Sequence, residues 1–279
     1  MIETREAQMS VEAMCEVLDV SPSGYYASRN REMSEREKED VVLGKSVERV
    51  FLKSRRTYGS DRVHQQLRRE GIRTSRKRVA RLMQERGLRS VRARKRGKSL
   101  TRRGDHAYIV PNLLQQDFTA TACNQKWGTD TTYIATREGW LYLVSVMDLY
   151  SRQIVGWSMG DHHDAALATS ALDMAIRQQR PDRGLIVHSD RGTEFANALF
   201  HQRAQQAQIQ LSMSSTGNCY DNASAESVFA TIKLEAVQER VFETRQHAKQ
   251  ILFDYIEVFY NRQRLHSGID YNCPVSFAA

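Results

Sequence analysis

The sequence predicts an α/β fold in which a mixed, layered sheet domain follows small all-helical modules. Three observations carry that expectation. Up to about residue 90 the apolar positions recur at helical spacing, and after Asn124 they collect into strand-like runs. Beyond residue 160 strands and helices alternate, which suits a mixed sheet with helices on its faces. Charge divides with the pattern: residues 1–110 hold 27 Lys and Arg against 15 Asp and Glu, net +12, and the remainder is net −4.

The 279 residues leave room for one sizeable core and one or two small modules. The 41% hydrophobic and 27% charged residues are ordinary for a soluble globular protein. No run of about 18 apolar residues suggests a membrane span. The polar, acidic start at Met1–Ser10 does not read as a secretory signal. Cys15, Cys123, Cys219 and Cys273 are scattered without a Cys-x-x-Cys, which argues against a zinc module and for a reducing cytosol.

Residues 10–29 predict two short helices. Ser10 caps the first, with Ala13, Met14, Val17 and Leu18 as its apolar stripe, and Ser21 caps the second, with Pro22 at its first position. Alternating acid and base from Arg31 to Asp40 predicts an exposed connecting helix, completing an N-terminal unit over 1–50. A second helix-turn-helix follows in a unit spanning 51–104. Ser60 caps a helix bearing Val63 and Leu67, Gly71 ends it, and Thr74 or Ser75 caps the next, with Val79, Leu82 and Met83 inward. Its outward face is expected to carry Arg76, Lys77, Arg78 and Arg81, a cationic surface suited to a DNA groove or to backbone phosphate. From Arg86 to Arg103 run nine Lys and Arg, including Arg94, Lys95 and Arg96, with no acid, which predicts a phosphate-neutralising tether.

Strands are predicted at Trp127–Ile134, Trp140–Leu149, Gln153–Met159, Leu185–Ser189 and Ile209–Ser214. Helices are predicted at 163–179, 195–207, 222–238 and 244–261. The core is thus expected over 120–240 and a helical tail over 241–279.

Three carboxylates stand out. Asp130 lies within the first predicted strand, Asp190 just past the fourth and Glu226 inside a helix, with 59 residues between the first two and 35 between the last two. Three acids converging from two strands and a helix suit two Mg²⁺ ions, which together clamp a phosphodiester. His188 and Arg191 flank Asp190, as phosphate contacts or, for His188, as a packed strand residue. Asn222 lies one turn before Glu226, as a cap or a DNA contact. Asp148 suggests a turn, Glu194 the rim of the site, Asp161 and Asp164 a helix cap, and Asp221 a second cap.

On the motifs Trp127–Tyr133, His188–Phe195, Gly217–Glu226 and Tyr260-Asn261-Arg262-Gln263-Arg264-Leu265-His266, together with the 58–89 helix pair, the chain resembles the retroviral-integrase-like transposases of bacterial insertion sequences. It looks like the second-frame product of the group made from two overlapping frames. The resemblance implies a ribonuclease-H-like five-stranded mixed sheet with flanking helices. It also implies Asp130, Asp190 and Glu226 as catalytic metal ligands for two Mg²⁺, with Mn²⁺ as a substitute. Lys233, seven residues after Glu226, corresponds to a basic residue that meets transposon-end DNA; the alternative is a solvent lysine.

Implied partners are double-stranded DNA (terminal repeats and target), an upstream-frame helix-turn-helix and zipper segment, and further copies of the chain on DNA, with no membrane. The expected location is the bacterial cytoplasm, on the nucleoid when DNA-bound. Two other classes stay open: a ribonuclease-H-like nuclease without strand transfer, and a non-catalytic DNA-binding regulator. Arg262, Arg264 and His266 either bind DNA or stabilise the domain.

Overall fold

Alternation along the predicted strands decides the architecture. Leu141 and Leu143 belong to one apolar cluster and Val144 and Val146 to the other, so the central sheet carries a core on each face. The computed structural model describes residues 10–29, 31–91, 108–215, 221, 223–238 and 240–279, the side chains of residues 28 and 223–225 excepted. The expectations for Arg94, Lys95, Arg96 and Asn222 fall outside these residues.

The sheet comprises β1 (Lys126–Thr136), β2 (Gly139–Asp148), β3 (Ile154–Gly160), β4 (Ile186–Ser189) and β5 (Gln210–Met213), in the order β3-β2-β1-β4-β5. β1, β2 and β3 form an antiparallel meander, and β4 and β5 add in parallel beside β1. This is the five-stranded mixed sheet that the ribonuclease-H-like expectation required. The β2–β3 turn is held by Asp148, which accepts hydrogen bonds from the backbone of Asn124 (2.7 Å), Tyr150 (3.1 Å) and Ser151 (2.7 Å). Its carboxylate is committed to the turn.

One face packs α6 (Ala165–Gln179) and α7 (Ala198–Gln206) over Val144, Val155 and Val187. Gly156 permits the approach: a Cβ there would lie 2.7 Å from that of Ala175. Asp164 caps α6 by accepting from the Leu167 amide at 2.8 Å, as expected. The opposite face packs α8 (Ala223–Ile232), α9 (Arg245–Phe253) and the tail over Ile134, Leu143 and Ile154. Two predicted helices change form before they end: α8 gives way to a π-helical turn at Lys233–Val237, and α9 to one at Asp254–Tyr260. Asn261 then pins β3, its side chain accepting from the Ile154 amide at 3.0 Å and donating to its carbonyl at 2.9 Å. The short α10 (Pro274–Ala278) closes the chain.

Near the N-terminus, α1 (Val11–Val17) and α2 (Pro22–Arg29) pack through Met14, Cys15 and Tyr25. Next come α3 (Glu35–Lys53), α4 (Ser60–Arg69) and α5 (Arg76–Glu85). The connecting helix is a correction: α3 buries Leu43, Val47, Val50 and Phe51 and is the spine of the helical module. Its charged first turns, opened by a Ser34–Glu37 capping box, conceal an apolar stripe that begins only at Leu43. Ser60 does not cap α4, whose N-cap is Gly59 without a side-chain bond, whereas Ser75 caps α5. Tyr58 ties this module to the tail, donating to the Gln263 carbonyl at 3.1 Å and accepting from the Leu265 amide at 2.8 Å. Among the described residues no helix is long and apolar enough to cross a membrane.

Candidate active site

β1 and β4 run in parallel side by side, with Gly128 opposite His188. Their C-terminal directions therefore agree, and Asp130 on β1 and Asp190 just beyond β4 come to the same end of the sheet. Local backbone orients each carboxylate: the Thr131 amide donates to Asp130 Oδ1 at 2.7 Å and the Gly192 amide to Asp190 Oδ1 at 2.9 Å. Both acids are half-buried. Burial first and Asp190 second push the Asp130 carboxyl well above its ordinary range, with Glu194 and Glu226 adding to the effect. Burial and then Glu194 push Asp190 up to about 6. Glu226 on α8 is exposed on its outer side, and burial of the remainder raises it.

The electrostatic field of Glu226 reaches both aspartates. Even so, among the described residues no three His, Cys, Asp or Glu side chains are gathered into a cluster that would hold a metal ion. Asp130 and Asp190 form the centre of the arrangement, and Glu226 stands at its margin.

Glu194 was expected at the rim, and the structure corrects this. It is buried and accepts from His163 Nε2 at 2.6 Å. Burial opposes its ionisation, but the His163 bond leads the contacts that hold it below the ordinary range. The same bond raises His163, whose ring stacks on Tyr142 with centroids 5.3 Å apart. The sequence offered little sign of this ion pair, because 30 residues separate its members and His163 sits in a run that reads as a helix cap.

His188 is a packed strand histidine. Its ring nitrogens bond Ser212 Oγ and the Asp221 carbonyl, both at 2.8 Å, which leaves none for phosphate. Arg191 is half-buried and donates from Nε to the Ser214 carbonyl at 2.8 Å. Asp221 accepts from the Ser215 amide (2.8 Å), Asn112 (3.0 Å) and Gln116 (3.0 Å). These bonds tie it to the 112–116 segment and to Ser215. Lys233 opens the π-helical turn, so the α-helical register from Glu226 ends at Ile232, and its ammonium lies 4.9 Å from the Tyr133 ring centroid.

The basic face of α5 differs from expectation. Arg78 and Arg81 both reach Asp40 on α3, Arg78 adds Glu39 and Arg81 adds Glu85, while Arg76 pairs with Asp61. Helical spacing identified a cationic helix but not the acids that α3 lays beside it. Lys77 is exposed. In the tail, Arg264 is buried against Glu235, whereas Arg262 is exposed.

Comparison with known proteins bears on the family. Family models described as integrase core domains match residues 120–219 and 207–274, and one described as an HTH-like domain matches 37–96. The chain is 42% identical over 95% of its length to the insertion element IS600 31 kDa protein of Shigella sonnei, covering 97% of that protein. It is 39% identical over 99% of its length to the transposase InsF for insertion sequence IS3A of Escherichia coli K12, covering 96% of it. Among solved structures, the catalytic core domain of HTLV-2 integrase matches 58% of this chain and 100% of its own, at 14% identity and a TM-score of 0.45. On its sequence kinship the chain belongs to the DDE-type, integrase-core transposases of bacterial insertion sequences.

Proposed function

We propose that the chain cuts a DNA strand at the ends of its insertion element and transfers the freed 3′-OH to a second phosphodiester, with Asp130, Asp190 and Glu226 as catalytic carboxylates. The observation that supports this most is the Asp130–Asp190 pair at one end of the sheet, where burial, followed by Asp190 for Asp130 and by Glu194 for Asp190, makes ionisation costly without a nearby cation. All-oxygen donors with unbalanced charge fit a hard divalent cation. Asp130, Asp190 and Glu226 would hold two Mg²⁺, or Mn²⁺ in their place. When bound, the ions activate the attacking oxygen and stabilise the leaving one.

The residues of the chain do the rest. The Thr131 and Gly192 amides aim the two aspartates, and His163 holds Glu194 ionised beside them. Glu226 would join the two aspartates from α8 in holding the ions. Lys77, with Arg94, Lys95 and Arg96 after it, neutralises backbone phosphates, and Arg191, Asn222 and Lys233 meet the transposon end. Arg76, Arg78 and Arg81 serve helix packing first and DNA second.

The working unit pairs two DNA ends and so contains more than one copy of the chain. It also includes the upstream-frame helix-turn-helix and zipper segment, and it works in the cytoplasm on the nucleoid. Residues 1–50, 51–104, 120–240 and 241–279 are its functional divisions.

The test is strand transfer with Mg²⁺ on a labelled duplex carrying the element's terminal repeat, with the upstream-frame partner present. The full chain is expected to yield joined product, and Glu226→Gln and Asp190→Asn none. Cleavage without joining would move the assignment to a nuclease, and undiminished joining by Asp190→Asn would sink the carboxylate assignment.

A further inference from the structure

Away from the carboxylates, the tail motif Tyr260–His266 helps to wall a cavity of about 210 Å³ where three parts of the chain meet. Its lining includes Arg62 of α4, Arg152 of the β2–β3 turn, Ser227 and Thr231 of α8, and Arg264 and His266 of the tail. One carboxylate answers the three arginines. Glu235 takes Arg264 Nε at 2.8 Å and Nη2 at 2.7 Å, and the Tyr255 hydroxyl at 2.8 Å. Arg62 reaches it only at 3.8 Å. Among the described residues no carboxylate forms an ion pair with Arg152.

Three guanidinium charges against one carboxylate leave a net charge of +2 around a partly enclosed space. Burial and then Arg264 hold Arg62 below its ordinary range. Burial, followed by Arg264, Arg62 and Arg152, pushes His266 down to about 2, so the imidazole stays neutral. Enclosed charge of one sign is costly until a counter-ion joins it. Guanidinium forks match the oxygens of a tetrahedral phosphate.

We propose that this cavity seats one backbone phosphate of the bound DNA. Its walls favour DNA over a free anion. One is α8, the helix that carries Glu226, and another is α4 of the segment matched by the HTH-like model, so a strand running between these parts passes the opening. The seat would give the tail motif a role as the clasp between the helical module and the core. The inference rests on the chain being a transposase that binds DNA, but not on the carboxylate chemistry.

The experiment measures duplex affinity of the full chain against salt concentration, in EDTA so that catalysis plays no part. Arg152→Gln is the chosen variant, since Arg152 takes part in no ion pair among the described residues. The slope of log affinity against log salt is expected to shrink by about 0.9, the value of one phosphate contact. Arg152→Lys should restore the slope, and Arg62→Gln should reproduce the loss.

An unchanged slope in both Gln variants would overturn the proposal. If inorganic phosphate, compared with chloride at matched ionic strength, raises the melting temperature of the unaltered chain but not of Arg152→Gln, while the DNA slope stays the same, the cavity takes a free anion and the DNA assignment falls. Because the slope is measured in EDTA, its outcome stands apart from any failure of the strand-transfer reading.

Discussion

Asp190 illustrates how a residue proposed for the chemistry can be costly to the fold. Its carboxyl titrates at about 6, above the ordinary 3.8, because burial and Glu194 oppose its charge. A folded-state value above the unfolded one means that the folded chain holds the proton more tightly. Metal-free stability therefore falls as pH rises from about 4 to about 6, by at most about 3 kcal/mol from this group. Asp190→Asn should flatten that decline and make the chelated protein more stable at pH 7 than the unaltered chain, as read by denaturant unfolding across pH. A slope unchanged by the substitution would place the cost elsewhere.

At the same scale, Glu235 is surrounded by Arg264, Tyr255 and Arg62. Glu235→Gln leaves a buried guanidinium short of its counter-charge and should cost about 3–5 kcal/mol, measured by urea unfolding.

Two elements carry arguments of their own. Helix α6 lies close on β3 because Gly156 presents no side chain, and an added methyl would press on Ala175. Gly156→Ala should destabilise the chain by about 1–3 kcal/mol through overpacking, with a lower denaturant midpoint and an unchanged m-value. Helix α5 poses the opposite question, since its basic residues divide between packing and solvent. Arg78 is bound to Asp40 and Glu39, and Lys77 is exposed. Arg78→Gln should lower the melting temperature and leave the salt dependence of DNA binding in place. Lys77→Gln should leave the melting temperature alone and reduce the salt slope by about one contact. The reverse pattern would restore α5 as a phosphate reader through Arg78.

Over the whole molecule, one apolar cluster joins the helical module, the sheet and the tail, and specific polar contacts fix their register. Tyr58 bonds two backbone groups of the tail, Asn261 bonds β3, and Arg62 approaches Glu235 across the junction. The arrangement sets the arginine-lined cavity beside α8, where the helical module, the core and the tail meet.

The sequence alone determined the five strands, most of the helices and the mixed sheet, with Asp130 on a strand, Asp190 just past another and Glu226 on a helix. Apolar periodicity, capping residues and turn residues act over short stretches of chain, so they can be read without coordinates. It also determined the family, because the carboxylate spacing and the tail motif are carried in the residues themselves. Only the tertiary structure decided which charges meet. Glu194 looked like a rim residue until the fold brought His163 to it, and the face of α5 looked free until α3 laid Asp40 against Arg78 and Arg81. His188 was open between a phosphate contact and a packed strand residue, and β5 and Asp221 took both ring nitrogens. Arg264 was open between binding DNA and stabilising the domain, and Glu235, 29 residues before it, proved to be its partner in the fold. Pairings of this kind depend on which elements become neighbours, and a one-dimensional charge pattern carries no record of that.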